Sequence, residues 1–116
     1  MKMPHAPLLI LVILFVSDGL LLVAVSVPLI RRRVKPNLVY GFRVAKTLSD
    51  PGVWYAANEY AGRMLLRAGA FIAPFCLALA FVPGITLLGY AIAGGLVSVG
   101  SVLVAAWRSF RYLNSL

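Results

Sequence analysis

Residues 8–30 read LLILVILFVSDGLLLVAVSVPLI, an apolar run in which Asp18 is the single charged residue. Its length matches the roughly 20 residues that an α-helix needs to cross the ~30 Å hydrocarbon layer of a bilayer. The run is longer than the apolar core of a signal peptide, and three arginines and a lysine follow it directly at residues 31–35. Such a cluster is typical of a stop-transfer signal. The sequence therefore predicts a first transmembrane helix over residues 8–30.

The rest of the chain has the same character. Of its 116 residues, 62% are hydrophobic and 12% are charged, and the mean hydropathy is +0.96, which excludes an ordinary soluble domain. Residues 64–82 form a second apolar run, with Arg67 close enough to its end to extend into the headgroups. The breaker pair Pro83-Gly84 separates it from a third run over residues 85–107. We expect one all-α membrane domain with three transmembrane helices.

The basic residues predict the orientation. Seven of them lie between the first two spans, Arg67 lies near the start of the second span, and two more follow the third span at residues 108–116, whereas Lys2 and the amino terminus alone oppose them. Because basic residues of short loops stay on the cytoplasmic side, we expect an outside N-terminus and a cytoplasmic C-terminal tail. The net charge of +8 then requires no nucleic acid as partner. It favours anionic lipid headgroups at the cytoplasmic face.

The cytoplasmic segment, residues 31–63, contains a helix start. Asp50 is typical of an N-cap, and Pro51 suits the first turn, where its missing N–H costs nothing. Apolar residues then recur at helical spacing, and Glu59 precedes Arg63 by four residues. This pattern predicts an amphipathic interfacial helix over residues 51–63 that leads into the second span. Aromatic residues typical of a membrane boundary occur here and near the C-terminus: Tyr40, Phe42, Trp54, Tyr55, Tyr60, Trp107, Phe110 and Tyr112.

An aromatic belt does not explain the amides and glycines of residues 37–63. They follow the pattern N-x-x-Y-G-F-R-x-x-K-T-L-S-x-P-x-x-W-x-x-A-N-x-x-A-G-R, which we call the signature segment. This pattern resembles the signature of the SdpI family of small bacterial membrane proteins, whose namesake gives immunity against a secreted peptide toxin. The resemblance implies a helical membrane fold, a location in the bacterial cytoplasmic membrane, and a partner that is a peptide toxin or a regulatory protein. The namesake has additional spans before this module, whereas one span precedes it here.

The signature segment also has a physical interpretation. Gly41 permits a backbone that a Cβ would oppose, and Arg43 can present forked donors to carbonyls, a carboxylate or a lipid phosphate. Asn58 can satisfy backbone groups of the turn, and Gly62 lets another helix approach. Two interpretations stay open, since these residues either brace the fold or contact a ligand, lipid or partner. The candidates are Asn37, Tyr40, Gly41, Phe42, Arg43, Thr47, Trp54, Asn58, Gly62 and Arg63.

Asp18 is the other candidate. It lies ten residues into the first span, which at 1.5 Å per residue is roughly 15 Å deep, near the midplane. A carboxylate there is costly and should face the bundle, protonated or paired. We expect a hydrogen bond to Ser98, Ser101 or Tyr90 of the third span. Asp18 then serves either as a packing lock or in proton or ion handling.

Small residues form stripes on the second and third spans. Gly69, Ala73, Cys76 and Ala80 lie along the second span, and Ala91, Gly94, Ser98, Ser101 and Ala105 lie along the third. Because small faces let helices approach in lipid, we expect these two spans to pack against each other as a tight hairpin. Gly89, Gly95 and Gly100 remain for a second contact surface, which favours a homo-oligomer.

Enzyme chemistry finds little support in the sequence. His5 is the only histidine and Cys76 the only cysteine, so neither a metal cluster nor a disulfide is expected. Nucleophile-elbow and phosphate-loop motifs are absent from the sequence. We therefore expect no catalytic residues, no metal and no cofactor. Two function hypotheses remain: a non-enzymatic protector or binding protein acting through residues 37–63, and an oligomeric transporter or ion-handling unit built on Asp18.

Overall fold

A computed structural model describes residues 6–116, which form four helices; Lys2 and His5 lie outside the described residues. The helices are α1 (Ala6–Ile30), α2 (Ala45–Ser49), α3 (Pro51–Leu79) and α4 (Leu87–Asn114). No strand occurs within this part of the chain. The predicted all-helical fold is confirmed.

Three of these helices, α1, α3 and α4, are long and apolar enough to cross a membrane. The chain is therefore a multi-pass membrane protein with the three predicted spans. The 29 residues of α3 give it a length of about 44 Å, well beyond the ~30 Å hydrocarbon layer. The molecule is 57 Å long. Part of the bundle consequently extends beyond the hydrocarbon layer. We call the end of the bundle that carries residues 31–63 the cap end.

No break separates residues 51–63 from the rest of α3, so the helix predicted from residue 51 continues into the second span, and its interfacial position stays a prediction. The observed bounds differ from the expected ones in two places. The predicted tail is helical, because α4 continues to Asn114. The five-residue helix α2 was not predicted. Asp50 does cap α3 as expected, since its carboxylate accepts the Gly52 N–H at 2.8 Å.

The last two spans pack against each other as expected, but theirs is not the most extensive helix pairing. α3 packs most extensively against α1, less against α4, and α1 barely contacts α4. A Cβ at Gly19 of α1 would lie 2.7 Å from the Ala73 backbone nitrogen. One at Gly62 of α3 would lie 3.1 Å from the Ser26 carbonyl oxygen. The small stripe of α3 therefore serves mainly α1, because glycines on both helices let their backbones approach.

Near the other end of the bundle, α1 reaches across to α4 through Phe15. The Phe15 ring lies against Gly94, where an added Cβ would be 2.8 Å from it. The centroids of the Phe15 and Tyr90 rings are 5.8 Å apart. The small stripe of α4 is thus partly used to seat an α1 side chain. Gly95 and Gly100 face open space. The second contact surface expected for a homo-oligomer therefore stays a prediction.

Candidate functional site: the cap of the helix bundle

Residues 31–63 form a folded unit at the cap end, which we call the cap. At its centre Asn58 of α3 is 2% exposed and binds the chain around Gly41. The Asn58 side-chain oxygen accepts the Phe42 N–H at 2.6 Å, and its amide nitrogen donates to the Trp54 carbonyl at 2.9 Å. Gly41 has a φ of +116°, a backbone region that L side chains rarely adopt. The amide therefore joins a tight loop to α3.

Trp54 and Thr47 complete the buried part of the cap, since both side chains are fully buried. The Trp54 indole N–H donates to the Val34 carbonyl at 2.8 Å, which ties α3 to the chain that leaves α1. The Thr47 hydroxyl donates to the Phe42 carbonyl at 2.8 Å and accepts the Val44 N–H at 2.9 Å. Buried polar groups that are satisfied in this way specify one conformation. These residues brace the cap and are not accessible to a ligand.

A turn at Asn37 forms the outer edge of the cap. The Asn37 side-chain oxygen accepts the N–H groups of Val39 and Tyr40 at 2.8 and 2.6 Å. The Tyr40 hydroxyl donates to the Val25 carbonyl of α1, and the Arg43 guanidinium donates to the Leu38 carbonyl. Leu38 is 76% exposed and Val39 86% exposed. The turn thus presents two apolar side chains outward.

The end of α4 packs against the cap. The sequence reasoning missed this contact. The rings of Phe42 and Phe110 meet edge to face at 4.9 Å. The rings of Tyr60 and Tyr112 stack in parallel at 4.3 Å. The Lys46 ammonium donates to the Leu113 carbonyl at 2.9 Å. The aromatic residues of both segments were the available signal, but an interface belt accounted for them without any mutual contact.

Glu59 joins the end of α1 to α3 through two arginines. Its carboxylate lies 2.6 Å from Arg32 Nε and 3.0 Å from Arg63 Nη2. Hydrogen bonds from Arg32 and then Arg63 lower the pKa of Glu59, which lies before the apolar part of α3. Arg32 has a φ of +56°, and the Arg33 N–H donates to the Pro28 carbonyl at 3.0 Å. Arg32 thus ends α1 in the left-handed position usually taken by glycine.

A cavity of about 390 Å³ lies below the cap, and we call it the cap cavity. Its floor is α3, and α1 and α4 form its walls. The loop at residues 40–42 covers its cap end. Its lining is almost entirely apolar and includes Val25, Leu29, Tyr40, Phe42, Ala106 and Phe110.

The intramembrane polar residues do not meet as expected. Tyr90 is fully buried and donates its hydroxyl to the Cys76 carbonyl at 2.8 Å, so it does not bind Asp18. The Ser98 hydroxyl is buried without a hydrogen-bond partner, so the expected bond from Asp18 to Ser98 is also absent. Asp18 and Ser101 are each half-buried. Tyr90 thus joins α4 to α3 through a buried hydrogen bond.

The structure sorts the predicted residues of the signature segment by accessibility. Thr47, Trp54, Asn58 and Gly62 are buried, and Asn37, Tyr40, Gly41 and Phe42 are half-buried, whereas Arg43 and Arg63 are exposed. Within residues 6–116, no three His, Cys, Asp or Glu side chains cluster as metal ligands. Chemically the cap offers exposed guanidinium groups and an apolar edge over an apolar cavity. Such a surface suits recognition of an amphipathic or anionic molecule.

Comparison with known proteins identifies a family. The family model described as the SdpI/YfhL protein family matches residues 33–107, from the start of the cap into α4. Neither the curated proteins nor the solved structures contain a match.

Proposed function

Because the chain belongs to the SdpI/YfhL protein family, we propose that it is a non-enzymatic immunity protein that protects the cell producing it against a membrane-active peptide toxin. The observation that carries this proposal is the family match over residues 33–107, which includes the whole signature segment. The second and third spans fall within the match as well. The first span lies before it.

The accessible residues of the signature segment indicate where a toxin or regulatory partner would bind. The buried amide and indole of Asn58 and Trp54 are used within the fold. Arg43 is exposed and has no carboxylate partner among residues 6–116, and it stands beside the apolar turn at residues 38–39. The exposed apolar turn can pack against the apolar face of an amphipathic peptide, and the Arg43 guanidinium can donate to backbone carbonyls or a carboxylate of such a peptide.

The test is a survival assay on bacteria that produce the protein and are challenged with a panel of secreted membrane-active peptides. Arg43→Lys keeps the charge but loses the forked donors. We expect it to abolish protection at unchanged membrane abundance. The matched control is Arg31→Lys, an exposed arginine outside the family match, which should protect normally.

Loss of Arg43→Lys from the membrane would assign Arg43 to folding and overturn its contact role. Full protection by Arg43→Lys at normal abundance would also overturn the contact role of Arg43. If the wild-type protein protects against none of the panel while a peptide encoded beside its gene kills producing cells, the immunity proposal is wrong.

A second candidate function, handling of protons or ions, is favoured by one observation. The Ser98 hydroxyl is buried without a partner, and the half-buried Asp18 is a carboxylate of the first span. Unpartnered polar groups inside a membrane protein are costly and often serve transport. An oligomer would provide the pathway that three helices do not enclose.

Proton flux into liposomes that contain the purified protein separates the two functions. Flux that Asp18→Ala abolishes would favour transport, and protection without flux would favour immunity. Activity of Asp18→Asn that equals the wild type at every pH tested would exclude a titrating carboxyl.

A further inference from the structure

The cap cavity is lined by residues of both α1 and α4, two helices that contact each other little. At the far end Phe15 of α1 touches Gly94 of α4. At the cap end, residues 40–42 lie between the two helices. There the Tyr40 hydroxyl bonds the Val25 carbonyl, and the Phe42 ring meets Phe110. The loop therefore bridges α1 and α4 beside the apolar cavity.

The depth of this cavity places it among the lipid acyl chains. Its α1 wall contains Val25 and Leu29, within about 8 Å of the helix end at 1.5 Å per residue. The arginines that begin at Arg31 mark the headgroup level just beyond. On the α4 side, Val102 is 37% exposed and Phe110 46% exposed, so part of the cavity lining lies at the outer surface of the bundle, where lipid can reach it. About 390 Å³ is within the range of small-molecule sites.

The charge around the cavity favours an anionic occupant. The acidic residues of the cap are Asp50 and Glu59. Asp50 caps α3, and Glu59 is shared by two arginines. Arg43 directly follows Phe42, which lines the cavity, and its guanidinium bonds the Leu38 carbonyl. The exposed Leu38 and Val39 are favourable in the membrane interface and unfavourable in water, which places Arg43 at the headgroups.

We propose that the cap cavity binds one acyl chain of an anionic phospholipid of the leaflet on the cap side, and that Arg43 binds its phosphate headgroup. The apolar lining supplies the chain site, and the guanidinium supplies the selectivity for negative charge. The lipid fills the space that residues 40–42 create between α1 and α4. The cap and the bundle are thereby joined through a bound lipid.

Native mass spectrometry of the detergent-purified, delipidated protein tests this proposal after incubation with equal amounts of phosphatidylglycerol and phosphatidylethanolamine. Ala106→Phe fills the cavity from an exposed position of α4. Its matched control is Val99→Phe, an exposed residue of the same helix outside the cavity lining. Arg43→Gln removes the charge and Arg43→Lys keeps it. Circular dichroism verifies that each variant retains its helices.

We expect the wild type and Val99→Phe to bind one phospholipid each and to prefer phosphatidylglycerol, and Ala106→Phe to lose binding of both lipids. Arg43→Gln should lower the preference for phosphatidylglycerol about fivefold, the factor for one basic residue near an anionic surface. Arg43→Lys should retain that preference.

Lipid binding by folded Ala106→Phe at the wild-type level would overturn the cavity site. An unchanged lipid preference in Arg43→Gln would overturn the headgroup contact. A lipid-free dimer that Ala106→Phe abolishes would assign the cavity to a second copy of the chain instead. Since no toxin is present, each result is independent of the immunity proposal.

Discussion

At the scale of single residues, the cap depends on side chains that satisfy buried backbone groups. Asn58 bonds the Phe42 N–H and the Trp54 carbonyl, and Thr47 bonds the same loop from α2. A buried backbone group without a partner costs about 1 to 3 kcal/mol. The order of amides, glycines and tryptophan in the signature segment therefore has a structural reason that does not involve a ligand. For Arg43, the one structural role seen in the described residues is its hydrogen bond to the Leu38 carbonyl of the exposed turn.

Gly41→Ala should destabilise the cap strongly. The φ of Gly41 is +116°, and the new Cβ would lie 2.7 Å from the Asn58 side-chain oxygen and 3.2 Å from the Trp54 ring. We expect a loss of about 2 to 4 kcal/mol in the free energy of unfolding, from backbone strain and from displaced hydrogen bonds. Denaturation of the detergent-solubilised protein, followed by tryptophan fluorescence, measures this loss.

The matched control is Gly84→Ala. Gly84 also has a positive φ, +76°, but nothing lies within 4 Å of the added Cβ. Strain alone should cost about 1 to 2 kcal/mol. Equal losses in the two variants would contradict the assigned crowding by Asn58 and Trp54.

At the scale of the elements, the bundle is organised around α3. Glycines at positions 19, 62 and 69 bring α1 and α3 together. α4 joins them through the Tyr90 hydroxyl on the Cys76 carbonyl and through the Phe15 ring on Gly94. In a bilayer, where apolar surface gains little from leaving lipid, such close packing supplies the association energy. The two small-residue stripes thus have different partners from those that sequence spacing indicated.

Gly69→Ala should weaken the contact of α1 with α3. The new Cβ would lie 3.0 Å from the Leu22 Cβ and 3.0 Å from the Val23 Cγ2, with the Gly19 carbonyl closer still. Overpacking of this kind costs about 1 to 3 kcal/mol. Thermal unfolding in detergent should show a lower midpoint for this variant. Gly95→Ala, whose Cβ meets nothing within 4 Å, should leave the midpoint unchanged or higher. A lower midpoint for Gly95→Ala than for Gly69→Ala would place the critical contact on the outer face of α4.

At the scale of the whole molecule, the two ends of the helix bundle differ in charge and in structure. The three long helices span the bilayer, and the cap gathers most of the basic residues at one end, together with the end of α4. Acidic residues neutralise few of them, because Glu59 serves Arg32 and Arg63 at once. The cap end therefore presents a strongly positive surface to the headgroups.

We expect this end to face the cytoplasm. A fluorescent protein fused after Leu116 should fluoresce, because that reporter folds in the cytoplasm, while alkaline phosphatase at the same position should be inactive. Alkaline phosphatase inserted between Pro83 and Gly84, at the opposite end, should be active. Active phosphatase after Leu116 with inactive phosphatase between Pro83 and Gly84 would reverse the predicted orientation. Activity at both positions would contradict a membrane crossing by α4, which lies between them.

The sequence by itself determined the membrane class, the three apolar helices and the place of the signature segment. These properties depend on segment length, hydropathy and the order of residues in the motif, all of which can be read without knowledge of tertiary contacts. The tertiary structure alone decided that Asn58 closes on Gly41, that α1 takes the small face of α3, and that the end of α4 completes the cap. It also formed the cap cavity, because it brings Tyr40 and Phe42 into contact with α1 and α4, respectively. Hydropathy identifies a helix that belongs in lipid but does not specify which of its neighbours it will touch, because in lipid that choice depends on the shape of the packed faces.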